Sequence, residues 1–131
     1  DPGLALMDVT PLVPHGHQVI NSYGAGGFMI TGERHDGSVL VFPEKIVAFE
    51  PKAWSDITLT DLLAVTEVVP HVELLLMGCG PSIQLLSKDH RAALREAGIG
   101  IDLMDTGAAC RTYNVLMAEG RRVAAALIAL D

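Results

Sequence analysis

The chain has 131 residues, half of them apolar and 19% charged, with a formal net charge of −7. A chain of that length buries about two thirds of its unfolded surface and needs no disulfide or metal staple. Nine Lys and Arg dispersed among sixteen Asp and Glu argue against a nucleic-acid binder, which sets clustered cations against phosphate. The longest apolar run, Val123 to Leu130, falls well short of the ~18 residues of a membrane span.

Residues 1–17 hold three prolines and read as an extended arm, leaving residues 18–131 as one α/β domain. Val19 to Tyr23, Gly27 to Ile30, Val39 to Phe42 and Ile46 to Phe49 are short, apolar and rich in β-formers, and Gly32 to Gly37 reads as a polar turn between them, so this half is expected to form a β-meander. Pro51 and Trp54 mark a crossing segment. Thr60 is the expected N-cap of a helix whose Leu59, Leu62, Leu63 and Val69 recur near helical spacing and which stops at Pro70. Val72 to Met77 follows as a buried strand, Gly78 to Pro81 turns the chain, and Ser87 caps a helix that Gly98 closes. Ile99 to Met104 is the next strand, Thr106 is the expected N-cap of the last helix, and Gly120 ends it. For Val123 to Leu130, intrinsic propensity favours helix, but unbroken hydrophobicity after a glycine favours a buried strand, which is the expectation here.

Strands alternating with helices require right-handed crossovers and a largely parallel sheet, in which ligands sit beyond the carboxyl ends of the strands. Val72–Met77 and Ile99–Met104 should then be parallel neighbours, with the Gly78–Ser82 and Asp105–Cys110 corners at one edge. The second corner combines a helix amino end with Asp105, Thr106, Arg111 and Asn114. Its free amides and guanidinium suit a carboxylate or phosphate guest. Gly78, Cys79, Gly80, Asp105, Thr106, Arg111 and Asn114 are therefore the expected ligand- or partner-binding residues.

Other motifs support less. Asp105-Thr106-Gly107 matches an aspartic-protease loop, but a helix follows it where that fold requires a strand. Tyr23-Gly24-Ala25-Gly26-Gly27-Phe28 has Met29 where a dinucleotide fingerprint needs Gly and lacks the Lys of a phosphate loop, so turns between strands explain its glycines better. His15 and His17 lack a third and fourth metal ligand. Cys79 and Cys110 are expected as reduced thiols, and no His is placed by sequence to act as a base for them. No catalytic residue, metal or cofactor is expected. The expected compartment is the cytoplasm, or the mitochondrial matrix if a transit segment has been removed.

Asp105-Thr106, Ala109 and Thr112-Tyr113-Asn114 resemble the D-T-x-x-A-x-x-T-(Y/F)-N signature of a widespread single-domain family of unknown biochemical function. Its eukaryotic members include a mitochondrial respiratory complex I assembly factor and the adipogenesis-associated domain protein. The resemblance extends from about Ile20 to Leu130 and takes in Tyr23 to Phe28, Gly78-Cys79-Gly80 and Gly120 to Ile128. It implies a three-layer α/β fold with a central mixed, mostly parallel sheet in which one strand runs antiparallel and a β-meander helps cover a face. It also implies a non-enzymatic assembly or protein-interaction role, with a protein partner such as a membrane-complex subunit. The alternative from the residues alone is a small-molecule enzyme or sensor, with Asp105 as acid or base and Arg111 holding an anion. Either reading is compatible with a homo-oligomer.

Overall fold

The computed structural model describes residues 16–131, so all of the expected arm but Gly16 and His17 lies outside the described residues. Eight strands and three helices follow, with a short 3-10 turn at Trp54–Asp56. Strands β1 (Ile20–Gly24), β2 (Gly27–Ile30) and β3 (Glu33–Asp36) form an antiparallel three-stranded sheet. Strands β4 (Val39–Phe42), β5 (Lys45–Ala48), β6 (Leu74–Gly78), β7 (Gly100–Met104) and β8 (Val123–Leu127) form a second sheet in the order β5-β4-β8-β6-β7.

Two expectations for the first half change. The polar stretch Gly32 to Gly37 is mostly strand β3, because the turn is only Thr31-Gly32, both with positive φ (48° and 81°), between paired Ile30 and Glu33. Two consecutive positive-φ residues match the right-handed twist of a tight hairpin. Strand β3 is a solvated edge, so its polarity reflects exposure and not a loop. The meander also ends early, since β4 and β5 leave it to extend the central sheet.

In that sheet β6 is parallel to both β7 and β8, whereas β4 is antiparallel to β8 and to β5. Strand β4 alone therefore runs against the others. Alternate residues point to opposite faces, and both faces are covered. Val39, Val41, Leu76, Val123, Ala125 and Leu127 pack beneath the last helix and the small sheet. Leu40, Phe42, Leu75, Met77, Ala124 and Ala126 pack beneath the other two helices. Coverage on both sides explains why β4, β6 and β8 read as continuous apolar runs, and it settles 123–127 as a strand.

Helix α1 (Leu59–Thr66) starts two residues earlier than a cap at Thr60 would place it. Thr58, not Thr60, caps it, because the carboxylate of Asp61 at the third helical position accepts a hydrogen bond from the Thr58 amide at 2.8 Å. Ser87 caps α2 (Lys88–Glu96) by accepting from the His90 amide, and Gly98 follows it at φ +79°. Helix α3 (Thr106–Ala118) is capped by Asp105, whose Oδ1 accepts from the Ala108 amide at 2.9 Å. Thr106, the expected cap, is the first helical residue, and its hydroxyl is used elsewhere. Strands β6 and β7 begin one to two residues later than expected, because the chain enters the sheet only where Leu74 pairs with Gly100.

Candidate functional site at the strand ends

The carboxyl ends of β6, β7 and β8 converge as the crossover topology requires. The Cys79 amide donates to the Met104 carbonyl at 2.8 Å, and the Ile128 amide donates to the Gly78 carbonyl at 3.0 Å. Thr106 joins the three elements. Its amide donates to the Gly80 carbonyl at 2.9 Å, its hydroxyl accepts from the Gly80 amide at 2.9 Å, and the same hydroxyl donates to the Ile128 carbonyl at 2.8 Å. The side chain is fully buried. A β-carbon on Gly78 would stand 3.0 Å from both Leu127 Cδ2 and the Thr106 backbone. Glycine there permits the close approach of helix and strand.

The amino end of α3 is largely occupied by its own chain. Of its first three amides, that of Thr106 goes to Gly80 and that of Ala108 to Asp105. The Tyr23 ring from β1 lies over Gly107, where an added β-carbon would meet the phenol oxygen at 2.5 Å. Arg111, exposed one turn on, donates to that phenol at 3.0 Å. Asn114 faces β1: its carbonyl oxygen accepts from the Ile20 amide and its amide donates to the Ile20 carbonyl, at 2.9 and 2.8 Å. Asn114 thus completes a missing strand partner for β1. Gly78, Gly80, Asp105 and Thr106 come together, while Arg111 and Asn114 point toward the small sheet.

Both thiols are buried and free. Burial pushes the Cys110 thiol up to about 12, against a smaller opposing pull from the Arg111 cation. Burial also raises Cys79, whose Sγ lies 3.6 Å from the Met77 carbonyl oxygen. Neither is a thiolate at neutral pH, so neither is an activated nucleophile. Among the described residues no three His, Cys, Asp or Glu gather in a way that could hold a metal ion. His15 of the His15-Gly16-His17 motif lies outside them.

Beside the junction lies a cleft of about 690 Å³ whose walls include Lys52, Trp54, Ser55, Cys79, Gly80 and Gln84. Two of the expected site residues, Cys79 and Gly80, line it. Lys52, Trp54, Ser55 and Gln84 were missed because they come from the crossing segment and the β6–α2 loop. Nothing local in their sequence signals that they face the ends of β6 and β8. The Gly24–Gly27 turn is explained by backbone geometry: Ala25 and Gly26 adopt positive φ, and Arg34 donates to the carbonyls of Gly24 and Ala25.

The family described as protein of unknown function (DUF498/DUF598) matches residues 20–128. The chain belongs to this family. It is 33% identical over 109 residues to NADH dehydrogenase (ubiquinone) 1 alpha subcomplex assembly factor 3 of Xenopus tropicalis, a match covering 83% of this chain and 60% of that protein. The chain therefore spans about 60% of the length of that curated relative. Among solved structures, it resembles a Bartonella henselae protein described as an outer membrane protein, with a TM-score of 0.82 and 39% identity over 88% of this chain and 98% of the other. It also resembles a Bordetella pertussis protein described as a Mth938-like domain, with a TM-score of 0.77 and 30% identity over 92% of this chain and 91% of that one. The family and the mixed α/β fold expected from the Asp105–Asn114 signature are thus both found.

Proposed function

We propose that this domain is a non-enzymatic assembly factor that binds a protein partner during assembly of a respiratory NADH dehydrogenase. The observation that carries this reading is the 33% identity, across 83% of the chain, to a protein named as an assembly factor of that enzyme. The chemistry at the strand ends supports it. The polar groups at the junction are engaged in bonds within the chain, and the two thiols beside it are held protonated by burial. An enzyme in this place would need a titratable group poised for proton transfer or attack, whereas an assembly module needs a rigid scaffold with free surface.

The test is genetic. In a cell that contains this chain and a respiratory NADH dehydrogenase, deletion of the chain should lower the fully assembled enzyme on native gels and leave partial assemblies behind. Restoring the chain should bring the assembled form back. Unchanged levels of the assembled enzyme after deletion would refute the proposal.

A further inference from the structure

The cleft of about 690 Å³ beside the strand-end junction has no part in the assembly reading. It lies at the carboxyl ends of β6 and β8, where open α/β sheets hold their ligands, and its volume falls within the ~300–1,000 Å³ of small-molecule sites. Its base is fixed by bonds within the chain. The Ala129 amide donates to the Ser38 hydroxyl at 3.1 Å, and the Ile128 carbonyl accepts from the Thr106 hydroxyl. The Trp54 indole donates to the Leu85 carbonyl at 2.9 Å, which joins the crossing segment and the β6–α2 loop into one wall. Trp54, Pro81 and Leu130 make part of the lining apolar. Ser55 and Gln84 add a hydroxyl and a carboxamide, each able to donate and to accept. Among the lining residues Lys52 is the one cation and Asp131 the one acid. Asp56, in the turn next to Lys52, lies outside the lining, and its carboxylate accepts from the Ala53 amide at 3.3 Å.

We propose that this cleft binds a short apolar peptide with free ends, of dipeptide size. The balance of charge selects that guest. The ion pairs among the described residues are Arg34–Asp36 and Arg122–Glu44, so Lys52 and Asp131 share the lining without pairing with each other. A simple anion or cation would meet a like charge there, whereas a zwitterion sets its carboxylate against Lys52 and its ammonium against Asp131. Between those ends a dipeptide carries one peptide unit with a donor and an acceptor, which the Gln84 carboxamide and the Ser55 hydroxyl complement. Its apolar side chains cover the Trp54 ring, Pro81 and Leu130, and the ring is already held in place by its own N–H bond. A single amino acid offers no peptide unit to Gln84 and Ser55 and leaves much of the volume empty. This inference does not depend on the assembly role, which requires no small ligand.

Titration of the full chain with leucyl-phenylalanine, followed by amide chemical shifts in NMR, tests the proposal. Millimolar dipeptide should shift the amides of Gly80, Gln84 and Ala129 and leave that of Arg121, at the opposite end of the parallel strands, in place. Glycyl-glycine should bind at least about tenfold more weakly for want of apolar side chains. The carboxyl-amidated and the amino-acetylated forms should each bind about three- to fivefold more weakly than the free dipeptide, the size of a charge pair that water partly screens. Lys52→Ala should bind the free dipeptide and its amide equally, and Asp131→Asn should bind the free dipeptide and its acetyl form equally. Both positions are exposed, so the remaining amide shifts should be those of the wild type. The blocked dipeptides test the charge argument without any variant. Absence of shifts at millimolar leucyl-phenylalanine, shifts confined to residues away from the cleft, or equal binding of the free and blocked forms by the wild type would each overturn the proposal. Phenylalanine alone binding as tightly as the dipeptide would overturn the assignment to a peptide.

Discussion

On the α3 side of the central sheet, polar side chains bond the chain to itself. Thr106 ties α3 to β6 and β8, Asn114 pairs with the backbone of Ile20, and the Tyr113 hydroxyl donates to the Gln18 carbonyl at 3.0 Å. On the α1–α2 side, α2 buries Leu94 alone and leaves Lys88, Arg91 and Arg95 without acidic partners among the described residues. Helix α3 buries six residues, from Thr106 to Met117. The contrast separates two demands on one small fold. The segment that carries the family signature holds the layers together through polar side chains, and α2 on the opposite side of the sheet packs through one buried leucine.

The largest expected effect breaks the buried side of this comparison. Thr106→Val keeps the side chain's shape and removes the hydroxyl, leaving the Gly80 amide and the Ile128 carbonyl without that partner. Unsatisfied buried groups cost about 1–3 kcal/mol each, so the variant should lose about 3 kcal/mol in urea unfolding. Arg95→Ala on the opposite face should change stability by less than about 0.5 kcal/mol. Equal costs for the two variants would erase the distinction between a structural side and a free one.

Much of the fold was legible in the sequence. The order of strands and helices after Thr58, the parallel pairing of β6 with β7 and the meeting of the Gly78 and Asp105 corners follow from apolar runs, caps and crossover handedness. The uses of individual polar groups were not legible, because they depend on contacts distant in sequence. Thr106 and Asp105 are adjacent and both suit an N-cap, and only the approach of Ile128, 22 residues away, draws the Thr106 hydroxyl inward. Asn114 and Arg111 are tied to Ile20 and Tyr23, 94 and 88 residues away.

The next effect concerns pH. Burial raises the Cys110 thiol to about 12, while the same thiol in the unfolded chain titrates near 8.5–9. A raised folded-state value stabilises the fold fully below the unfolded value, and this contribution is lost as pH climbs toward the folded one. Tyr113, likewise raised by burial, acts in the same direction at still higher pH. Stability should therefore fall between about pH 9 and pH 12, with Cys110 contributing on the order of 1 kcal/mol by pH 10. Cys110→Ala should lower stability at pH 7 through lost packing and flatten the alkaline decline. An equally steep decline in the variant would show that the thiol is not the group responsible.

The smallest effect sharpens the comparison where the structural side meets solvent. In Gly107→Ala the new β-carbon would stand 2.5 Å from the Tyr23 phenol oxygen and 3.3 Å from an Arg111 nitrogen. Both are ends of flexible side chains, and Tyr23 is 39% exposed, so the ring can swing into water at the cost of one exposed hydrogen bond. Replacing a helical glycine by alanine gains up to about 1 kcal/mol, and losing the Tyr23–Arg111 bond costs about as much. The net change should lie within about 0.5 kcal/mol of zero, the difference of those two terms. The cancellation can be separated in a double-mutant cycle. In a Tyr23→Ala background the alanine has nothing to displace, so Gly107→Ala should stabilise by about 0.5–1 kcal/mol. If its effect were the same in both backgrounds, Tyr23 would not be packed on the α3 amino end in solution, and that end would be open to solvent.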